Sequence, residues 1–132
     1  MVHSRTKAEF LGEYAAGWTE GNVDKILEAA ALSYAYDDPT VGHTIHGLEF
    51  RRYFADLSGQ VHKLRGPNHQ SHFMDISELV TKEEGGVVTA WCWWHIPGTH
   101  IQGCGLIKVG DGGVLSEKLA FYTKPGQPTV HA

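Results

Sequence analysis

Apolar residues recur at helical spacing in three stretches of the first sixty positions and at strand spacing in one. Phe10, Leu11, Tyr14, Ala15 and Trp18 share one face of a helix expected over residues 6–18, where Thr6 and Glu9 form a capping-box pattern. Gly21-Asn22 interrupts it, and Asn22 is placed to cap a shorter helix running through Ile26, Leu27 and Ala30. A strand is expected around Tyr34 to Asp38, stopped by Pro39, and a loop over residues 40–46 has room for a short extended piece at 44–46. Gly47 opens a third helix with Phe50, Tyr53, Phe54 and Leu57 in one stripe, and Gly59 is expected to end it.

Beyond Lys63, Arg65, Gly66 and Pro67 the pattern changes to long β-rich runs, expected over residues 68–81, 87–96, 99–109 and 114–123. Glu84-Gly85-Gly86, Pro97-Gly98 and Gly110-Asp111-Gly112-Gly113 separate them as hairpin turns. Helices first and a meander of strands afterwards make an α+β fold. Three N-terminal helices pack in the concave face of a curved antiparallel sheet, leaving a cone with a pocket at its open end. At 132 residues a single domain, 1–132, is expected.

The chemistry concentrates on the strand Tyr34-Ala35-Tyr36-Asp37-Asp38. Alternation puts Tyr34, Tyr36 and Asp38 on one face and Asp37 on the other. If that face looks inward, two phenols and a carboxylate share a partly apolar cavity, where a carboxylate gains proton affinity and suits general-base work. In the last strand Glu117 shares its face with Leu115, Leu119 and Phe121, and a carboxylate in an apolar row is costly unless partnered or functional. The run Trp91-Cys92-Trp93-Trp94-His95 is apolar on both faces, so both must be covered: helices and pocket on one side, a second subunit on the other. Trp94 shares parity with Cys92 and Ala90.

Composition narrows the class. The formal charge is −4 and no Lys/Arg cluster follows one face, which argues against a nucleic-acid partner. No apolar run approaches the roughly 20 residues that span a bilayer, and no basic-then-apolar start marks a secretory leader, so no membrane and a cytoplasmic setting are expected. Cys92 and Cys104 read as two free thiols on neighbouring strands. Among the nine histidines, His43/His46 and His69/His72 are spaced three apart, which on a strand points to opposite faces; no metal and no cofactor are expected.

The helix-helix-strand-helix opening, the Asp38-Pro39 pair and the terminal sheet resemble the nuclear-transport-factor-2-like (NTF2-like) superfamily, with its cystatin-like α+β barrel. Within it the chain is similar to ketosteroid isomerases and SnoaL-like polyketide cyclases, through Tyr14, Ala16, Gly21, Ile26, Asp38, Pro39, Gly47, Arg52 and Phe54. That resemblance implies Asp38 as proton shuttle and Tyr14 as donor to a substrate oxyanion. It places a second, acidic donor near residues 104–106, where this chain has Cys104, Gly105 and Leu106. A branch resembling scytalone dehydratase implies a pocket histidine early in the first long strand, for which His72 stands closest and His69 is the alternative. The resemblance also implies a homodimer through the outer sheet face, with Trp94 inside.

These readings combine into a cofactor-independent lyase or isomerase working by acid-base proton transfer on an apolar, aromatic or polycyclic oxygenated ligand. Asp38, Tyr14, His72 and Glu117 are the candidate catalytic residues. Tyr34, Tyr36, Tyr53, Phe54, His69 and Trp94 are the candidate substrate contacts. The rival expectation is a ligand-binding module in which Asp38 only caps the turn at Pro39.

Overall fold

The computed structural model describes residues 5–67, 69 and 71–123. The first helix, α1 (Lys7–Glu20), begins at Thr6: its hydroxyl accepts the Glu9 N–H at 3.1 Å, and the Glu9 carboxylate accepts the Thr6 N–H at 2.9 Å. Gly21, at φ 72°, ends it in the left-handed conformation that glycine adopts without a Cβ penalty. The Asn22 side chain accepts the Lys25 N–H and caps α2 (Val23–Ala29). Then follow β1 (Ala30–Asp37), β2 (Ile45–His46), α3 (Gly47–Arg65), β3 (Asp75–Glu84), β4 (Val87–His95), β5 (Gln102–Gly110) and β6 (Gly113–Phe121).

Six strands form one sheet in the order β2-β1-β6-β5-β4-β3. The α+β class holds, but the sheet is mixed: β1 runs parallel to β6, with Tyr36 beside Glu117 and Asp37 beside Lys118, while every other neighbouring pair is antiparallel. The first and last strands meet without a hairpin, so no turn in the sequence announces their pairing. Their register decides the site, because it sets the inward side chains of β1 against those of β6.

Of the boundaries that differ from the sequence expectation, two shape the segment before β3. Helix α3 runs past Gly59 to Arg65; Val61 is buried, and His62, Lys63 and Arg65 fall in the last turn, where cations meet the negative end of the helix dipole. Gly66, at φ 83°, supplies the stop. Strand β3 starts only at Asp75, because the segment before it docks on helices instead of pairing. The Phe73 N–H donates to the Thr19 carbonyl at 2.9 Å, and the Arg65 guanidinium donates to the carbonyls of His72, Phe73 and Pro97.

Within β3, Ser77 pairs with Trp93 and Val80 with Trp91, so Glu78 and Leu79 together oppose Cys92. Glu78 takes φ 53° at this bulge, and Leu79 becomes part of the cavity wall. A bulge bends its strand and increases the local twist. On the inner face α1 and α3 pack an aromatic core: Trp18 stacks on Tyr36, and Phe50 lies edge-on to Tyr34 and Tyr36. On the outer face Trp91 and Trp93 stay 47% and 45% exposed, so the second apolar side of β4 lies open in the isolated chain.

Candidate active site

Between the sheet and the helices lies a narrow, largely enclosed cavity of about 40 Å³. Its walls are apolar except where Asp38, Glu117 and three tyrosines enter. The inward face of β1 supplies Tyr36, the residue just after it supplies Asp38, α1 supplies Tyr14 and Trp18, α3 supplies Tyr53 and Leu57, and β6 supplies Glu117, Leu119 and Phe121. The alternation of β1 is as expected: Tyr34, Tyr36 and Asp38 are buried, while Asp37 faces away and accepts the Thr44 hydroxyl at 2.6 Å.

Asp38 is held by three donors: the Thr40 N–H at 2.8 Å and Thr40 hydroxyl at 2.7 Å on Oδ1, and the Tyr53 hydroxyl at 2.6 Å on Oδ2. The backbone donor can only give a proton, so the turn after Pro39 is built to receive an acceptor oxygen. Tyr53 is itself hydrogen-bonded to Tyr36; burial first, then the neighbouring Asp38 charge, pushes its proton affinity up.

Glu117 sits deeper, 4% exposed, and accepts the Tyr14 hydroxyl on Oε1 at 2.5 Å. Tyr14 has one proton; with that spent on Glu117, the 2.6 Å contact to Tyr34 is a bond donated by Tyr34. Burial in apolar surroundings pushes the Glu117 carboxyl up to about 7, and the Tyr14 hydrogen bond only partly opposes it. Burial also raises Tyr14, Tyr34 and Tyr36 well above the phenol range, and the Glu117 charge adds to each. Two relays therefore enter one cavity: Tyr34–Tyr14–Glu117 and Tyr36–Tyr53–Asp38.

Glycines on β5 make the room. Gly105 faces Cys92 across the ladder, and a Cβ there would collide with Glu117 Oε2. At Gly103 a Cβ would come within 2.7 Å of the Trp94 ring. Glu117 thus enters the cavity from the strand next to β5, into space that Gly105 leaves open.

The structure brings Asp38, Tyr14, Glu117, Tyr36, Tyr53 and Trp94 into the cavity wall. Tyr34 stands behind Tyr14, and Phe54 packs among Trp18, Phe50 and Phe73, outside the lining. His72 and His69 are corrections. His72 precedes β3, is about half exposed and pairs with the Asp75 carboxylate, with His95 on the other oxygen of Asp75 at 3.7 Å. His69 packs against Gly98, and its Nδ1 accepts the Ser71 N–H at 3.2 Å. Neither ring lines the cavity, because β3 begins too late to carry them inward.

Sequence reasoning missed three contributors. Thr40 was hidden as an ordinary turn residue after Asp-Pro, although an aspartate two positions earlier is the side chain such a residue bonds. Gly105 was visible only as a glycine in a strand, a known sign of close approach. Cys92 lines the cavity with its thiol pushed up to about 12, by burial first and the Glu117 charge second, which makes it a poor nucleophile. Among the described residues no group of three or more His, Cys, Asp or Glu is arranged to hold a metal, and no helix is long and apolar enough to cross a membrane.

No family model matches the chain, and no curated protein matches it in sequence. Solved structures do match in shape. An NTF2-like protein of unknown function from Cytophaga hutchinsonii superposes with a TM-score of 0.60 at 17% identity, covering 92% of this chain and 95% of that one. The epoxide hydrolase/cyclase-like enzyme SalBIII, which has a role in pyran ring formation in the polyether salinomycin, gives 0.60 at 17% identity over 88% and 90%. A Shewanella putrefaciens protein assigned as a SnoaL-like polyketide cyclase gives 0.57 at 14% over 87% and 79%. The chain thus has the NTF2-like fold, three helices packed on a curved mixed sheet around one cavity.

Proposed function

We propose that this protein is a small-molecule enzyme of the SnoaL-like kind, a lyase or isomerase that moves protons on an apolar oxygenated ring compound without a cofactor. One observation carries the reading: two carboxylates enter a single apolar cavity, Asp38 accepting three hydrogen bonds and Glu117 one from Tyr14. Burial raises the proton affinity of Glu117, which suits it to the acid role. Asp38, held by donors, takes a proton from carbon. Glu117, protonated in part near neutral pH, gives its proton or a hydrogen bond to the substrate oxygen, and the Tyr14 hydroxyl steadies the Glu117 carboxylate that the transfer leaves. In an isomerisation Asp38 returns the proton at a second carbon; in an elimination Glu117 protonates the departing hydroxyl, which leaves as water. The aromatic walls from Trp18, Tyr36, Tyr53, Trp94 and Phe121 suit a flat ring system.

The test is a turnover and binding screen of wild type and Asp38→Asn against enone, hydroxy-ketone and polyketide-like aromatic compounds. Turnover is expected to fall about 10²–10⁴-fold in the variant, the range for losing a general base, with affinity nearly intact. Compounds that stabilise both proteins equally and give no product identify a binding module instead.

We also propose that a second copy of the chain covers the outer sheet face. Val80, Trp91, Trp93 and Leu106 lie side by side there in register, and Tyr122 packs edge-on to Trp93. Exposed aromatics grouped in this way mark a contact surface. Sedimentation is expected to show a dimer that Trp91→Lys/Trp93→Lys converts to monomer; a wild-type monomer at high concentration removes the proposal.

A further inference from the structure

The cavity is small for a ring compound. Its volume of about 40 Å³ holds only a few water molecules, whereas sites for drug-sized ligands run to roughly 300–1,000 Å³. A wall therefore has to move before a ring can enter. Of the described residues that line the cavity, all are buried or half-buried except Leu79, which is 44% exposed and so stands between the cavity and water. Leu79 owes that position to the β3 bulge. Ser77 pairs with Trp93 and Val80 with Trp91, which leaves two residues opposite Cys92 where an unbroken ladder would set Glu78 alone, facing inward. The bulge thus exchanges a carboxylate for an apolar side chain in the wall. It also holds Glu78 at φ 53°, the one positive value among the described non-glycine residues. Such a backbone is strained and persists only where its surroundings hold it.

This wall is also the one free to yield. In the register neither Glu78 nor Leu79 is paired singly across the ladder, and β3 is the last strand of the sheet, so the bulge can shift without parting a second ladder. A return of Glu78 toward the β region turns the residue after it, which is Leu79. At Asp38 the wall is tied down instead: that carboxylate is bonded to Thr40 and Tyr53, and the Asp37 carboxylate beside it accepts the Thr44 hydroxyl. We propose that ligands enter at the β3 bulge and that Leu79 is the specificity-determining residue of the site. It swings outward to admit a ring, and its bulk sets the largest ring system the cavity accepts. This rests on the reading of the cavity as a substrate site and adds to it the side chain that selects substrates by size.

Binding kinetics test this without turnover. The probes are phenol, 2-naphthol and 9-phenanthrol, which carry the same hydroxyl on ring systems of increasing size. Affinities are measured by calorimetry and association rates by stopped flow. Leu79→Ala and Leu57→Ala delete the same atoms from two walls, the first at the bulge and the second on α3. Leu79→Ala is expected to speed the association of 2-naphthol about tenfold, because binding that waits on a moving wall is slowed by it. The affinity for 9-phenanthrol relative to phenol is expected to rise about tenfold, the scale of a changed apolar wall. Leu57→Ala is expected to alter affinities while its association rate stays within about twofold of wild type. Leu79→Trp moves both quantities the other way, and Leu79→Val, a milder change should Leu79→Ala unfold the chain, moves them in the same sense by less. A wild-type association rate in Leu79→Ala or Leu79→Val, or an equal gain in Leu57→Ala, overturns the proposal. So does a lack of saturable binding in wild type that Leu79→Ala does not restore. Those failures are distinct from failure of the catalytic reading, which shows as undiminished turnover in Asp38→Asn.

Discussion

Asp38 and Glu117 face one cavity from neighbouring strands, two steps apart along the β1–β6 ladder, roughly 7 Å of strand, yet they are held in opposite ways. Asp38 follows the last residue of β1, against a tight turn. Backbone and side-chain donors converge on both of its oxygens. Glu117 lies mid-strand among apolar side chains, with one tyrosine on one oxygen and a glycine beneath the other. A local turn makes a carboxylate an acceptor; tertiary burial makes one a reservoir for a proton. The proposed division into base and acid rests on that difference in surroundings.

The largest expected effect removes the second of these surroundings. Glu117→Gln keeps the shape and cannot lose or give an acidic proton, so turnover is expected to fall by about 10²–10⁴-fold, the general range for an acid-base group. The pH profile tells more. If protonated Glu117 is the working form, wild-type kcat falls about tenfold per pH unit above roughly 7, where the carboxyl titrates. That alkaline limb should vanish from the residual rate of Glu117→Gln. A wild-type profile flat from pH 6 to 9 would remove Glu117 from the acid role and leave Asp38 unpartnered.

Stability gives the next largest signal. Glu117 has an ordinary value of 4.5 when unfolded and about 7 when folded, so the folded state binds its proton more tightly. Its contribution is fully present below about 4.5 and is lost as pH rises through about 7. The difference amounts to roughly 3 kcal/mol at pH 8. Glu117→Gln carries no such titration. Relative to wild type its melting temperature is expected to climb between pH 5 and pH 8, by on the order of 10 °C. Parallel melting curves for the two proteins across that span would mean that Glu117 reaches water, and the contrast with Asp38 would collapse.

How much of this was legible in the sequence follows the same division. Whatever is local could be read: the Thr6–Glu9 capping box, Asn22 as a cap, the alternation that turns Tyr34, Tyr36 and Asp38 inward, and the apolar row that made Glu117 stand out. What depends on pairing between the chain's ends could not. Tyr14 on α1 and Glu117 on β6 meet across 103 residues, and β6 is set beside β1 by a parallel pairing that no hairpin signal encodes. His72 was drawn toward the pocket by resemblance to a dehydratase, on the assumption of a strand from residue 68. Arg65 instead gathers the carbonyls of that segment, so β3 starts at Asp75 and the ring stays outside.

The smallest expected effect tests whether empty space, rather than a donor, sets the Glu117 environment. Among the described glycines none has Asp38 among the nearest atoms an added Cβ would meet, and that carboxylate is fixed by bonds. At Gly105 a Cβ would strike Glu117 Oε2 and come within 3.6 Å of Cys92 Sγ. The carboxylate cannot swing aside freely while Oε1 is tied to Tyr14 at 2.5 Å, so Gly105→Ala must break that bond or push the strands apart. A cost of about 1–3 kcal/mol in stability is expected, the usual scale for overpacking one methyl group. Because the Tyr14 bond pulls the Glu117 carboxyl down, its loss should also move the alkaline limb of the rate profile to higher pH. Gly112→Ala, where an added Cβ meets nothing within 4 Å, is the matched control and should behave as wild type. If Gly105→Ala keeps both the stability and the limb, then the pleat yields to the methyl group and the Tyr14 bond alone suffices to place the acid. If the limb moves while the protein stays folded, the absent side chain on β5 is what allows β6 to supply an acid from the neighbouring strand.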